Sequence, residues 1–92
     1  MTTYLISYDL NRPRGADDYP QLIEAIKSVG GKWWHYLDST WVVKSDKSAT
    51  GIRDALKPHV DSGDELLVVA LTGVGAWVGF DEKGSSWLKE NL

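Results

Sequence analysis

The residues with the clearest chemical potential lie at the end of the first apolar run. Residues 4–10 read Tyr-Leu-Ile-Ser-Tyr-Asp-Leu and predict a β-strand that delivers a carboxylate, Asp9, to its end. Two arginines, Arg12 and Arg14, lie just beyond it. A buried strand seldom ends in an unpaired charge, because burying a charge is costly. We therefore expect Asp9 to be solvated, to pair with an arginine, or to bind a cation.

A divalent cation at Asp9, Mg²⁺ or Mn²⁺, is one chemistry that these residue types support. One carboxylate alone makes a poor site, because Mg²⁺ requires octahedral oxygen coordination. Two copies of Asp9 meeting at a dimer axis would make a better site, where a metal activates water and offsets the charge of a phosphate. The alternatives are a salt bridge from Asp9 to Arg12 or Arg14, and a turn capped through Asn11. The two arginines either grip phosphates through forked hydrogen bonds or belong to a solvated loop.

His35 and His59 are the only imidazoles in the chain. Either can serve as a general acid or base near neutral pH. A structural role is the alternative for both, since a cation is also favourable at the end of a helix, where His59 is predicted to lie. Neither histidine is near Asp9 in the sequence.

Tryptophan is unusually frequent, with five residues in 92. Trp33, Trp34, Tyr36 and Trp41 fall in one predicted hairpin, where they can stack on unpaired bases. The alternative is packing in the core and in a dimer interface, because large aromatic side chains supply much buried area per residue. The residues predicted for an interface are Trp33, Trp34, Trp41 and Trp77.

Composition narrows the class of protein. A chain of 92 residues predicts one domain, residues 1–92. The absence of cysteine excludes disulfides, cysteine-ligated zinc and thiol nucleophiles. The net charge of −3 argues against broad, non-specific nucleic-acid binding, although a local basic patch remains compatible with it. No signal peptide or membrane span is evident, so we expect a cytoplasmic protein.

Apolar spacing and breaker residues predict the elements that position these side chains. Strands are predicted at residues 3–9, 32–36, 40–44, 65–71 and 76–80, and helices at residues 19–29, 49–60 and 85–92. The order β-α-β-β-α-β predicts an α+β, ferredoxin-like antiparallel sheet with two helices on one face, followed by a C-terminal strand and a short helix. The other face would be bare in a monomer, which predicts a homodimer with the sheets face to face.

The strand end Tyr8-Asp9-Leu10, followed by Arg12 and Arg14, resembles the small CRISPR-associated endoribonuclease-like proteins and the related VapD-type toxins. The hairpin at residues 36–43 is also similar to the second and third strands of that family, and the likeness extends over about residues 3–80. The resemblance implies a homodimer, a divalent metal at Asp9 beside its symmetry mate, and metal-dependent cleavage of RNA or DNA. The alternative function is a non-catalytic dimer that recognises a protein or nucleic-acid partner.

Overall fold

The structure is a computed structural model that describes residues 1–11 and 18–92. The elements follow the predicted order closely as far as the fourth strand. They are β1 (Thr2–Asp9), α1 (Asp18–Val29), β2 (Lys32–Leu37), β3 (Thr40–Ser45), α2 (Ala49–Leu56) with a 3-10 turn (Lys57–His59), β4 (Glu65–Ala70) and α3 (Glu82–Asn91).

The four strands form one antiparallel sheet in the order β2-β3-β1-β4. The first strand of the chain is therefore central, with β3 on one side and β4 on the other. Apolar side chains from α1 and α2 pack on one face of this sheet, which we call the helix face. The α+β class and the antiparallel sheet are confirmed, and the arrangement is compatible with a ferredoxin-like fold.

The connection from α1 into the sheet depends on a close backbone approach. Leu22 and Ile26 recur at helical spacing and are fully buried, which holds α1 against the sheet. The helix ends at Val29, and Gly30 follows it. A Cβ at Gly30 would come within 3.0 Å of the Val43 Cβ and 3.1 Å of the Lys32 carbonyl oxygen. A glycine is therefore needed where the chain turns from helix to strand.

The main core lies between the helix face and the two helices. Trp41 is its largest fully buried side chain, and the Trp41 Nε1 donates a hydrogen bond to the Tyr8 hydroxyl at 3.2 Å. The buried Ser45 hydroxyl donates to the Val29 carbonyl at 2.6 Å, which satisfies a backbone acceptor at the end of α1. The buried members of this core are Tyr4, Ile6, Tyr8, Leu22, Ile26, Val29, Trp41, Val43, Ile52 and Leu56.

The opposite face of the sheet, which we call the second face, is not bare. Trp34 and Val42 are buried there beneath Leu88 of α3. The Trp34 Nε1 donates a hydrogen bond to the Gly84 carbonyl at 3.1 Å, so the indole both packs against α3 and anchors it. The expectation of a bare face was wrong for the half of the sheet formed by β2 and β3, because the chain after β4 folds back over that half.

The strand predicted at residues 76–80 is also wrong, since residues 71–80 form neither helix nor strand. Gly73 and Gly79 adopt positive φ values of 91° and 95°, which break an extended conformation at both ends of the segment. Trp77 and Phe80 pack against the cluster on the second face instead of continuing the sheet. Burial of these two rings therefore replaces strand pairing in this segment.

The start of α2 offers a direct test of local stability. The Ser48 Oγ accepts a hydrogen bond from the Gly51 backbone N–H at 3.0 Å and so caps the helix. We expect Ser48→Ala to lower the free energy of unfolding by about 1 kcal/mol, because that N–H loses its partner. Urea denaturation would measure the loss, and Ser48→Asp, which keeps an oxygen at the cap, should retain most of the stability. Equal destabilisation by both variants would contradict a capping role.

Candidate functional site

The candidate site lies where β1 ends and β4 begins. Asp9 is the last residue of β1, and its register partner on β4 is Glu65. Both residues are exposed. Partners in an antiparallel pair project to the same face, so the two carboxylates stand side by side on the second face.

Asn11 secures Glu65 rather than Asp9. Its side-chain amide donates to both carboxylate oxygens of Glu65, at 2.8 and 3.2 Å, and to the Gly63 carbonyl at 2.8 Å. Its backbone N–H donates to Asp64 Oδ1 at 2.8 Å. Asn11 therefore ties the end of β1 to the turn before β4, a role that differs from the predicted cap of Asp9.

The Asp9 carboxylate makes no hydrogen bond or ion pair with any other side chain in residues 1–11 and 18–92. Arg12 and Arg14, its predicted partners, lie outside the described residues, so the predicted salt bridge stays a prediction. Like charges directly opposite each other in a sheet are destabilising. The pairing of Asp9 with Glu65 is therefore electrostatically unfavourable in itself, and a cation between them would relieve it.

A shallow cleft of about 230 Å³ opens beside the two carboxylates. It is lined by Ser7, Tyr8, Asp9, Glu65, Leu66 and Leu67. Within the described part of the chain, no three His, Cys, Asp or Glu side chains are grouped so as to hold a metal. Asp9 and Glu65 would thus supply two carboxylate ligands to a cation. That number suits Mg²⁺ when water and substrate phosphate complete its coordination.

Glu65 is the site residue that sequence reasoning missed. It was assigned only as the start of a strand, because the register between β1 and β4 cannot be read from residue types. The ferredoxin-like order does offer a signal, since it makes the first and last strands antiparallel neighbours. A carboxylate at the end of one strand then meets the residue at the start of the other.

The two histidines lie apart from this cleft. The His35 ring stacks on Trp41 with a centroid separation of 3.7 Å and an interplanar angle of 10°. The His35 Nε2 is 3.1 Å from the Asp38 carbonyl oxygen. His59 belongs to the 3-10 turn after α2 and does not line the cleft. These contacts favour a structural role for His35.

The four tryptophans predicted for an interface occupy different environments. Trp34 and Trp41 are 3% and 1% exposed, so they are buried within one protomer. Trp33 is 43% exposed and lies beside Trp41, with ring centroids 5.4 Å apart, while the Lys27 ammonium sits 5.1 Å from the Trp33 ring centroid. Trp77 is half-buried. Only Trp33 and Trp77 of this set retain substantial area for a partner.

A second, larger groove runs between residues 71–80 and the second face. Its volume is about 380 Å³, and its lining is mostly apolar. Val74 and Val78 are each 92% exposed along the segment that borders it. The lining residues are Leu5, Trp34, Leu37, Thr40, Val42, Leu71, Val74, Gly75, Ala76, Trp77, Val78, Phe80, Leu88 and Leu92.

Helices of the described residues are all too short, or too polar, to cross a membrane. Comparisons with protein-family models, with curated proteins and with solved structures found no match to this chain.

Proposed function

We propose that this chain is a ferredoxin-like homodimer that cleaves phosphodiester bonds in nucleic acid with the help of a divalent cation held at Asp9. The observation that carries the proposal is the exposed Asp9 carboxylate, which stands opposite Glu65 with no cationic side chain paired to it among the described residues. The resemblance of Tyr8-Asp9 to the CRISPR-associated endoribonuclease-like proteins supports the same activity.

Asp9 and Glu65 are the residues that would hold Mg²⁺ or Mn²⁺. When bound there, the metal would activate water and offset the negative charge of the scissile phosphate. Asn11 restrains the Glu65 carboxylate through two hydrogen bonds, which limits the reorganisation needed to bind a cation. Arg12 and Arg14 follow Asn11 in the chain and are proposed to contact flanking phosphates.

Labelled single-stranded RNA and DNA of mixed sequence would test this proposal. We expect purified protein to produce shorter fragments with Mg²⁺ or Mn²⁺ and none after the metal is removed with EDTA. Comparison of the RNA with a DNA of the same sequence would give the sugar preference. Intact substrate under every metal condition, at protein concentrations that form the dimer, would refute a nuclease function.

A second candidate is a dimer that binds a partner without catalysis. It is favoured by the apolar groove beneath residues 71–80 and by the exposed ring of Trp33. A base stacked on Trp33 would quench its fluorescence. In EDTA, we then expect single-stranded RNA to quench the wild-type protein, and to quench Trp33→Ala much less, without fragmentation of the RNA when metal is restored. Fragmentation of the RNA would instead support the nuclease function.

A further inference from the structure

The two edges of the sheet differ in how well they are protected. The β2 edge begins with Lys32, and its register with β3 shifts between Trp34 and Leu37, as at a β-bulge. The β4 edge keeps an uninterrupted register with β1 and contains neither Lys nor Pro. Charges, prolines and bulges are the usual devices that stop an edge strand from pairing with another chain. β2 has a lysine and a register shift, whereas β4 has neither, and the one charge of β4, Glu65, lies at its first residue.

The hydrogen bonds between β4 and β1 show which backbone groups of β4 point away from the sheet. The Leu71 N–H donates to the Thr3 carbonyl at 2.9 Å, and Leu71 is the residue opposite Thr3 in the β1–β4 register. Hydrogen-bonded pairs alternate along an antiparallel ladder, so the odd-numbered residues of β4 bond to β1. Leu66, Val68 and Ala70 therefore direct their backbone N–H and C=O groups outward.

We propose that β4 pairs in antiparallel fashion with β4 of a second copy, about a two-fold axis at Val68, and so joins two sheets into one of eight strands. This register places Val68 opposite itself and Leu66 opposite Ala70 of the partner. All three outward-facing residues then become hydrogen-bonded pairs, which satisfies backbone groups that otherwise face solvent.

The side chains are compatible with the same two-fold register. Leu67 would face Val69 of the partner on the second face, and these residues are 54% and 38% exposed in the protomer. Two apolar side chains that meet directly across a strand pair remove each other's surface from water, which is favourable. Glu65, the one charge in β4, lies at the end of the strand and would face Leu71 of the partner, so no like charges oppose each other.

This dimer specifies the homodimer of the proposed function and locates its metal sites. Because Asp9 lies opposite Glu65, the two Asp9 residues of the dimer would be six residues apart along the strands and three strand spacings apart across them. The distance between the two Asp9 residues is therefore about 25 Å. Asp9 could not then share a metal with its symmetry mate, so each protomer would hold its own cation between Asp9 and Glu65.

Cysteine cross-linking tests the register, because the native chain contains no cysteine. Leu67 and Val69 of the partner would form a non-hydrogen-bonded pair with Cα atoms about 4.5 Å apart, within disulfide range. Two copies of Leu67 would be about 8 Å apart, which is too far. A mixture of Leu67→Cys and Val69→Cys should therefore give roughly tenfold more disulfide-linked dimer than either variant alone.

Sedimentation of the wild-type protein from low to high micromolar concentration provides the second measurement. A six-residue strand pair is smaller than a standard interface of about 1,600 Å², so we expect a concentration-dependent dimer rather than a permanent one. A monomer throughout, or a dimer whose single-cysteine variants cross-link as well as their mixture, would overturn the proposal. Neither measurement reads cleavage, so failure here is distinguishable from failure of the nuclease proposal.

Discussion

Asp9→Asn is expected to reduce the proposed metal-dependent cleavage at least about 100-fold, because loss of even an outer-shell partner of a metal ligand costs 10–100-fold in affinity or activity. The substitution keeps the shape of the side chain and removes the negative charge that attracts the cation. Glu65→Gln should reduce cleavage by a comparable or smaller factor. Calorimetric titration with Mn²⁺ should show the same order of loss and does not depend on turnover.

The stability of the same variants provides an internal check. In EDTA, Asp9→Asn should raise the free energy of unfolding by up to about 1 kcal/mol, because it removes a like charge opposite Glu65. Asp46→Asn is a suitable control, since Asp46 is exposed just after Ser45, at the far end of the β1–β3 pair. A variant of Asp9 that cleaves and binds Mn²⁺ as the wild type does would exclude Asp9 as a metal ligand.

Trp41→Ala is expected to destabilise the fold by about 3–5 kcal/mol. The indole is 1% exposed, stacks on His35 and donates a hydrogen bond to the Tyr8 hydroxyl. Its removal leaves a cavity in the main core and removes the hydrogen bond that the indole donates to the Tyr8 hydroxyl. Domains of this size have a total stability of only about 5–15 kcal/mol, so the variant should be partly unfolded or should unfold at a much lower urea concentration.

Trp33→Ala is the matched control for this core prediction. Trp33 lies beside Trp41, yet 43% of its surface is exposed, so less apolar area is lost when it is truncated. We expect a loss of about 1 kcal/mol, which includes the Lys27 contact with the ring. Similar urea midpoints for the two variants would show that burial in the structure does not govern their contribution to stability.

The four strands of the sheet and the three helices could be predicted from the sequence, because short-range signals define them. Leu22 and Ile26 recur at helical spacing, and Gly30 marks the end of α1. Residues 66–70 form an apolar run that follows a turn. Local periodicity and breaker residues encode such elements directly.

The conformation of residues 71–80 and half of the candidate site could not be predicted, because long-range packing decides both. Residues 76–80 have strand-like composition, but burial of Trp77 and Phe80 on the second face determines their conformation. Glu65 becomes a neighbour of Asp9 only through the register of β1 and β4. Residue types alone do not encode a pairing between positions so distant in the chain.

The central place of β1 has a consequence for the order of folding. β1 must wait for β3 on one side and for β4, which follows both α1 and α2 in the sequence, on the other. The Thr3 hydroxyl then donates to the Asn91 carbonyl, a contact that spans 88 positions. Long-range pairings of this kind slow folding, because the entropy of loop closure opposes them before contacts repay it. During synthesis, β1 would therefore remain without its full set of neighbours until β4 has been made.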